Sequence, residues 1–106
     1  MGFMKVLIDS GSQLSTITES ALERTGESKN IRPTNIKMTS AQGSTFEVKG
    51  RCTLELQLGK KDYMCDLVVT PVLFTGVDII LGNDFFSQYH TKLITYPHKE
   101  PLFILE

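Results

Sequence analysis

In "KVLIDSGSQLSTI", residues 5–17, three apolar residues (Val6, Leu7, Ile8) run straight into an acid, Asp9, and the run breaks at once on Ser10 and Gly11. Residues 4–8 read as a short buried strand and Asp-Ser-Gly as a turn. A carboxylate at the end of such a strand is costly to bury unless hydrogen bonds or a neighbouring charge manage it. Ser10 offers a hydroxyl, and Gly11 lets the backbone turn closely enough for its amide to point at the acid. One acid held this way can polarise a water, whereas two that share a proton can divide the roles of base and acid. The chain has a single Asp-Ser-Gly, so the economical source of a second acid is a symmetric homodimer with Asp9 of each subunit at the two-fold axis. Taken alone, the tripeptide is more often an ordinary turn or helix cap.

Outward from this stretch, residues 15–17 read as a second short strand. "TESALERTG" (residues 18–26) reads as a helix, with Ser20 and Glu23 as a capping box and Gly26 as its stop. Residues 27–35 are a polar loop. From Asn35 the pattern turns to β. Ile36 and Met38 alternate, a small polar tip follows at Ser40-Ala41-Gln42-Gly43-Ser44, and then Phe46, Val48, Cys52, Leu54, Leu56 and Leu58 all fall on even positions. Strict period two predicts a long strand with one buried and one wet face, and Gly50 marks a bend or bulge within it. Gly59 to Asp62 is a turn, "YMCDLVV" (63–69) a strand, and Pro71 to Gly76 a loop. "VDIIL" (77–81) is a buried strand, and Gly82-Asn83 opens a short helix with Asn83 as a good N-cap. "KLITY" and "LFIL" read as last strands around the turn "PHKEP". The architecture is mostly β, with hairpins and one or two short helices.

Length and composition bound the rest. At 106 residues the chain reads as one domain, residues 1–106; its 41% hydrophobic and 22% charged residues are those of an ordinary globular protein. A net charge of −1 offers nothing to nucleic acid or an anionic membrane, and no apolar run approaches the roughly 20 residues of a membrane span. The N-terminus shows no secretory leader pattern. If Met1-Gly2 is an added start, the natural chain extends upstream. Cys52 and Cys65 lack a CxxC or Cys/His grouping, so no metal site is expected, and both sit in apolar strand patterns as reduced, buried thiols. His90 and His98 read as surface residues near turns, and Lys60, Lys61 and Lys99 as solvated turn charges.

Order and spacing over nearly the whole chain resemble the retropepsin family, the single-domain aspartic proteases of retroviruses, retrotransposons and plant pararetroviruses. "VLIDSGSQLSTI" is similar to the family's first signature and "VDIILGNDFFSQY" to its second, while "MTSAQGSTFEVKG" stands where the family has its flap hairpin. Ser12 and Asn83-Asp84-Phe85-Phe86 look more like retrotransposon, pararetrovirus or cellular members than retroviral ones. The resemblance implies a small closed β-barrel-like fold with a flap. It implies that Asp9, Ser10 and Gly11 form the catalytic turn, Asp9 acting with its symmetry mate on a water and the Ser10 hydroxyl tying the two loops together. It puts Gln13 beside the bound peptide backbone, Ala41, Gln42, Gly43 and Ser44 at the flap tip that closes over substrate, and Ile80 on the strand beside the active-site loop, where Gly82 allows close approach. No metal, no cofactor and no covalent intermediate are implied. A terminal sheet that holds the dimer would draw on Leu102 to Leu105.

The function implied is a homodimeric aspartic endopeptidase that processes the polyprotein of a reverse-transcribing virus or element, in the host cytoplasm or within a particle. Its substrate would be an extended peptide. One rival is a catalytically silent dimerisation or peptide-binding module on the same fold. Another is a phosphate loop of the actin-like or sugar-kinase-like ATPases, which "IDSGSQLST" also resembles; those enzymes need a second glycine-rich loop and far more chain.

Overall fold

A computed structural model of the chain describes residues 4–9, 11–39, 43, 45–71, 76–89, 91–94 and 102–105, with residues 28, 46, 91–94 and 102–105 described by backbone alone. The elements in order are β1 (Val6–Ile8), β2 (Thr16–Thr18), α1 (Glu19–Thr25), a 3-10 turn (Ser28–Asn30), β3 (Lys37–Thr39), β4 (Thr45–Glu47), β5 (Gly50–Leu58), β6 (Lys61–Thr70), β7 (Ile79–Leu81), α2 (Asn83–Gln88), β8 (Thr91–Ile94) and β9 (Leu102–Leu105). The mostly-β architecture with two short helices is the one expected.

Five strands form one sheet in the order β1-β7-β2-β6-β5. Its unusual feature is β7, which lies between two strands that are consecutive in the chain. It runs parallel to β1 (Leu7 opposite Ile80) and antiparallel to β2 (Thr16 opposite Ile80). The turn at residues 9–15 must therefore step over the end of β7, and this topology is what positions the site. The described strands of this sheet leave it open, with β1 and β5 at its edges. Closure needs continuous pairing around the sheet. Among the described residues, the outer edge of β5 is met at Arg51, whose N–H and C=O exchange hydrogen bonds of 2.8 and 2.7 Å with Arg32.

The core lies on one face of this sheet. Ile17, Leu67, Val69, Ile79, Leu81 and Cys52 are fully buried, and α1 lays Ala21 and Leu22 on them. Each such aliphatic side chain contributes about 1.5–3 kcal/mol on burial. The helix begins differently from the capping box expected at Ser20. Its N-cap is Thr18, whose Oγ1 accepts a 3.1 Å hydrogen bond from the Ala21 amide, so Ser20 already lies within the first turn. The cause is that β2 runs to Thr18 with extended backbone, and the helix starts directly behind it. Gly26 closes the helix as expected, in the left-handed conformation (φ 80°), and donates its N–H to Glu23 O.

The even-position pattern is real but spans two sheets. Thr45 to Glu47 pair with β3 in a separate hairpin, and Gly50 to Leu58 pair with β6. Gly50 is the junction. At φ 147° it brings its backbone so close to residues 31 and 32 that a Cβ would lie 2.4 Å from Arg32 O and from Ile31 Cγ2. Along β5, Cys52 and Leu54 are buried while Leu56 and Leu58 are half-buried. Both cysteines are free and buried as expected, and burial pushes their thiols up from 9.0 to about 11 (Cys52) and about 12 (Cys65). At the C-terminal end β8 and β9 pair antiparallel, Thr91 opposite Leu105. The turn read at 97–101, His90, His98 and most of the 71–76 loop lie outside the described residues.

Candidate active site

The candidate site begins where β1 stops. Asp9 continues the ladder one residue beyond the strand, its N–H donating to Leu81 O at 3.0 Å. The chain then reverses tightly: Ser12 N donates to Asp9 O at 3.1 Å, and Gly11 N donates to the Asp9 carboxylate at 3.0 Å. A Cβ on residue 11 would sit 3.2 Å from that same carboxylate oxygen, so a glycine brings the amide in without crowding the acid. Asp9 is half-buried and Gly11 exposed.

Side-chain alternation separates this acid from the core. Val6 and Ile8 pack against the core cluster, where Ile79 and Leu81 lie. Leu7 and its register partner Ile80 are half-buried and point the other way, and Asp9 follows Ile8 on the Leu7 side. Ile80 therefore shares a face with the acid. Leu7 joins it, a residue that sequence reasoning passed over because an all-apolar run hides which of its members face outward.

The turn is held at its far side by the start of α2. The first N–H groups of a helix have no partner within it. Asn83 is the N-cap expected from the sequence, but the N-cap is Gly82, which has no side chain to offer, and Asn83 lies within the helix. Backbone carbonyls of the turn take the amides instead: Asn83 N donates to Ser12 O at 2.8 Å and Asp84 N to Gln13 O at 3.1 Å. Such an approach requires Gly82, where a Cβ would fall 2.6 Å from Ser12 O and 2.8 Å from Leu14 O.

Ser15 closes the turn, and it is buried. Its Oγ donates to Asp84 Oδ1 at 2.6 Å and accepts from Gly82 N at 2.9 Å. Its N–H donates to Asp84 Oδ2 at 3.0 Å, and its carbonyl accepts from Val68 N at 2.9 Å. Neither Ser15 nor Asp84 is singled out by sequence reading. A serine before a strand and an acid in a helix's first turn are ordinary in those places, and only their contact, 69 residues apart in the chain, distinguishes them.

Of the other expected site residues, Gln13 is exposed and contributes its carbonyl to α2. The flap hairpin is present, with Met38 opposite Phe46 and Thr39 opposite Thr45, and Gly43 lies exposed in its tip at φ 87°. Ser10, Ala41, Gln42 and Ser44 lie outside the described residues. A cavity of about 140 Å³ sits behind the turn, lined by Ser15, Arg51, Cys65, Asp66, Asp84, Phe85 and Gln88. A larger groove of about 770 Å³ runs along β5 and includes none of the expected site residues. Among the described residues no three His, Cys, Asp or Glu side chains form a group that could hold a metal ion, and no helix is long and apolar enough to cross a membrane.

The family model described as "gag-polyprotein putative aspartyl protease" matches residues 3–88, a span that takes in the Asp9 turn, the flap hairpin, β7 and α2. Among solved structures, the retroviral protease-like domain of Ddi1 from Leishmania major is similar with a TM-score of 0.67, at 19% identity, over 92% of this chain and 72% of that one. At that identity the likeness is one of fold, and it is the retropepsin-like fold that the two signatures and the flap implied. No curated protein sequence matches.

Proposed function

Because the chain belongs to the gag-polyprotein aspartyl protease family, we propose that it is an aspartic endopeptidase that acts as a homodimer, with Asp9 of each protomer forming the catalytic pair. The observation that carries this reading is the setting of Asp9. Asp9 stands at the end of β1, on the side away from the core, with one carboxylate oxygen held by the Gly11 amide. The chain carries one Asp-Ser-Gly, and a two-fold axis beside the turn would bring a second such acid to it.

In the pair, one carboxylate is ionised and the other protonated. The ionised one takes a proton from a water as that water's oxygen attacks the peptide carbonyl carbon. The protonated one gives its proton to the carbonyl oxygen, and a tetrahedral diol forms. Proton transfer to the amide nitrogen then lets the C–N bond break, and the pair returns to one shared proton. Activity therefore fails at both pH extremes, where both acids are protonated or both ionised.

The substrate is an extended peptide lying between the flap hairpin and the face that carries Leu7, Ile80 and Asp9. Gln13 contacts its backbone, and Ala41, Gln42, Gly43 and Ser44 close over it. Peptides bound this way are selected by apolar pockets for alternate side chains. Ser10 ties the two catalytic turns together across the axis. Processing of a polyprotein of a reverse-transcribing element, within a host cell or particle, is the role that family membership suggests.

The test is cleavage of a mixed peptide library between pH 4 and 7 at rising protein concentration, with Asp9→Asn alongside. Activity that grows faster than linearly with protein, is blocked by pepstatin-type inhibitors and is missing in the variant supports the proposal. Silence at high concentration from a folded sample overturns it in favour of a non-catalytic module.

A further inference from the structure

The loop that carries Asp9 is anchored by a second acid. Between β1 and β2 the chain is fixed at Asp9, through the Leu81 carbonyl, and again at Ser15, where hydroxyl, amide and carbonyl are all engaged. Between those points the Ser12 and Gln13 carbonyls carry the first amides of α2. The carboxylate of Asp84 is the keystone, accepting from Ser15 Oγ (2.6 Å), Ser15 N (3.0 Å) and Phe85 N (2.7 Å). The Ser15 hydroxyl in turn accepts from Gly82 N, the residue next to Leu81, whose carbonyl holds Asp9. From the keystone to the catalytic acid the path is thus Asp84, Ser15, Gly82, Leu81, Asp9, each step a hydrogen bond or a covalent neighbour.

We propose that Ser15 and Asp84 act as one positioning unit that sets the geometry of the Asp9 turn; this rests on the aspartic protease reading above. Neither residue is placed to touch substrate. Their effect is exerted through Gly82 and the α2 amides, and it matters because two acids that share a proton depend on their separation and orientation more steeply than a single base does. Ser15 is 1% exposed, so deleting its hydroxyl leaves Gly82 N without its partner and Asp84 Oδ1 with the Phe85 amide but not the hydroxyl, where water cannot readily replace it.

The experiment compares wild type with Ser15→Ala, Asp84→Asn and the double variant. Amide hydrogen exchange and steady-state cleavage are measured on each under conditions where all are folded. Leu54→Ala, which weakens the core on β5 away from the turn, serves as the control for a purely structural loss. The expected result is exchange about tenfold or more faster at the Asp9, Gly82, Asn83 and Asp84 amides, with the β5–β6 amides unchanged. With it comes a kcat lower by about tenfold to a hundredfold, KM within about twofold, and a shifted pH profile. The double variant loses no more than the worse single one, because the two residues act together.

Unchanged exchange at those four amides overturns the proposal. So does acceleration that spreads equally to β5–β6, as in Leu54→Ala, or a kcat and pH profile that stay put while the turn loosens. If wild type shows no cleavage that depends on Asp9, the protease reading falls and the catalytic consequence falls with it, while the exchange pattern still decides whether the clamp anchors the turn.

Discussion

The amide of Asn83 donates to the carbonyl of Ser12 across 2.8 Å, so that α2 is capped by the turn that bears Asp9. Neither partner is complete without the other. The helix has only six residues, too few to persist alone, and its unpaired N-terminal amides are what the turn's carbonyls satisfy. Folding of the site and docking of the helix are accordingly one event.

This relationship makes Gly82 the most sensitive small residue near the site. In Gly82→Ala the new Cβ would lie 2.6 Å from Ser12 O and 2.8 Å from Leu14 O, both backbone atoms with no side-chain freedom to yield. Turn and helix must separate, so we expect a loss of about 1–3 kcal/mol by urea or thermal unfolding. Asp9-dependent cleavage should be lost even at temperatures where the variant is folded. A Gly82→Ala protein as active as wild type contradicts the close approach.

The position of the first helix cap can be read from a pair of alanines. Thr18→Ala removes the hydroxyl that accepts from Ala21 N and should cost about 1 kcal/mol, whereas Ser20→Ala, at an exposed first-turn position, should be nearly neutral. Equal costs in denaturant titrations would restore the capping box at Ser20.

What was legible in the sequence was local. Period two from Cys52 to Leu58, the Gly59 turn and the second strand into Val69 read as a hairpin and form one, because alternation and turn chemistry act between near neighbours. The Thr18 and Ser20 hydroxyls lie two residues apart, and nothing local chooses between them; the end of β2 does. The insertion of β7 between β1 and β2, and with it the Ser15–Asp84 contact, joins residues 69 apart, and each is a common type in its place. The resemblance supplied the acid, the flap and Gly82, none of which a residue pattern alone distinguishes from an ordinary turn.

The two thiols make a prediction about base. Burial raises Cys52 to about 11 and Cys65 to about 12, against 9.0 for an unperturbed thiol. Below pH 9 both are neutral in the folded and unfolded chain alike and stability is unaffected. As pH rises past 9 the unfolded thiols ionise first and favour unfolding, so stability should fall progressively until about pH 11–12. Chemical denaturation from pH 7 to 11 measures this, and Cys52→Ala should flatten the slope. At pH 8 neither native thiol should react with an alkylating reagent until the chain is unfolded, since the thiolate is the nucleophile.

Asp9→Asn and Gly11→Ala separate chemistry from scaffold at the turn itself. An asparagine keeps an oxygen where Asp9 Oδ1 accepts from Gly11 N, so the turn should hold and the melting temperature should change by no more than about 2 °C. It cannot accept the water's proton, so cleavage should fall by at least about a thousandfold, the scale on which loss of an essential acid–base group is felt. Gly11→Ala leaves the acid chemically intact but sets a methyl 3.2 Å from its Oδ1, a contact that the carboxylate can relieve only by shifting a few tenths of an ångström. That variant should retain the fold and partial activity, with the loss in kcat rather than KM because the displaced group reacts and does not bind. If instead Asp9→Asn unfolds the chain while Gly11→Ala is indistinguishable from wild type, Asp9 is a structural turn residue and its catalytic assignment is wrong.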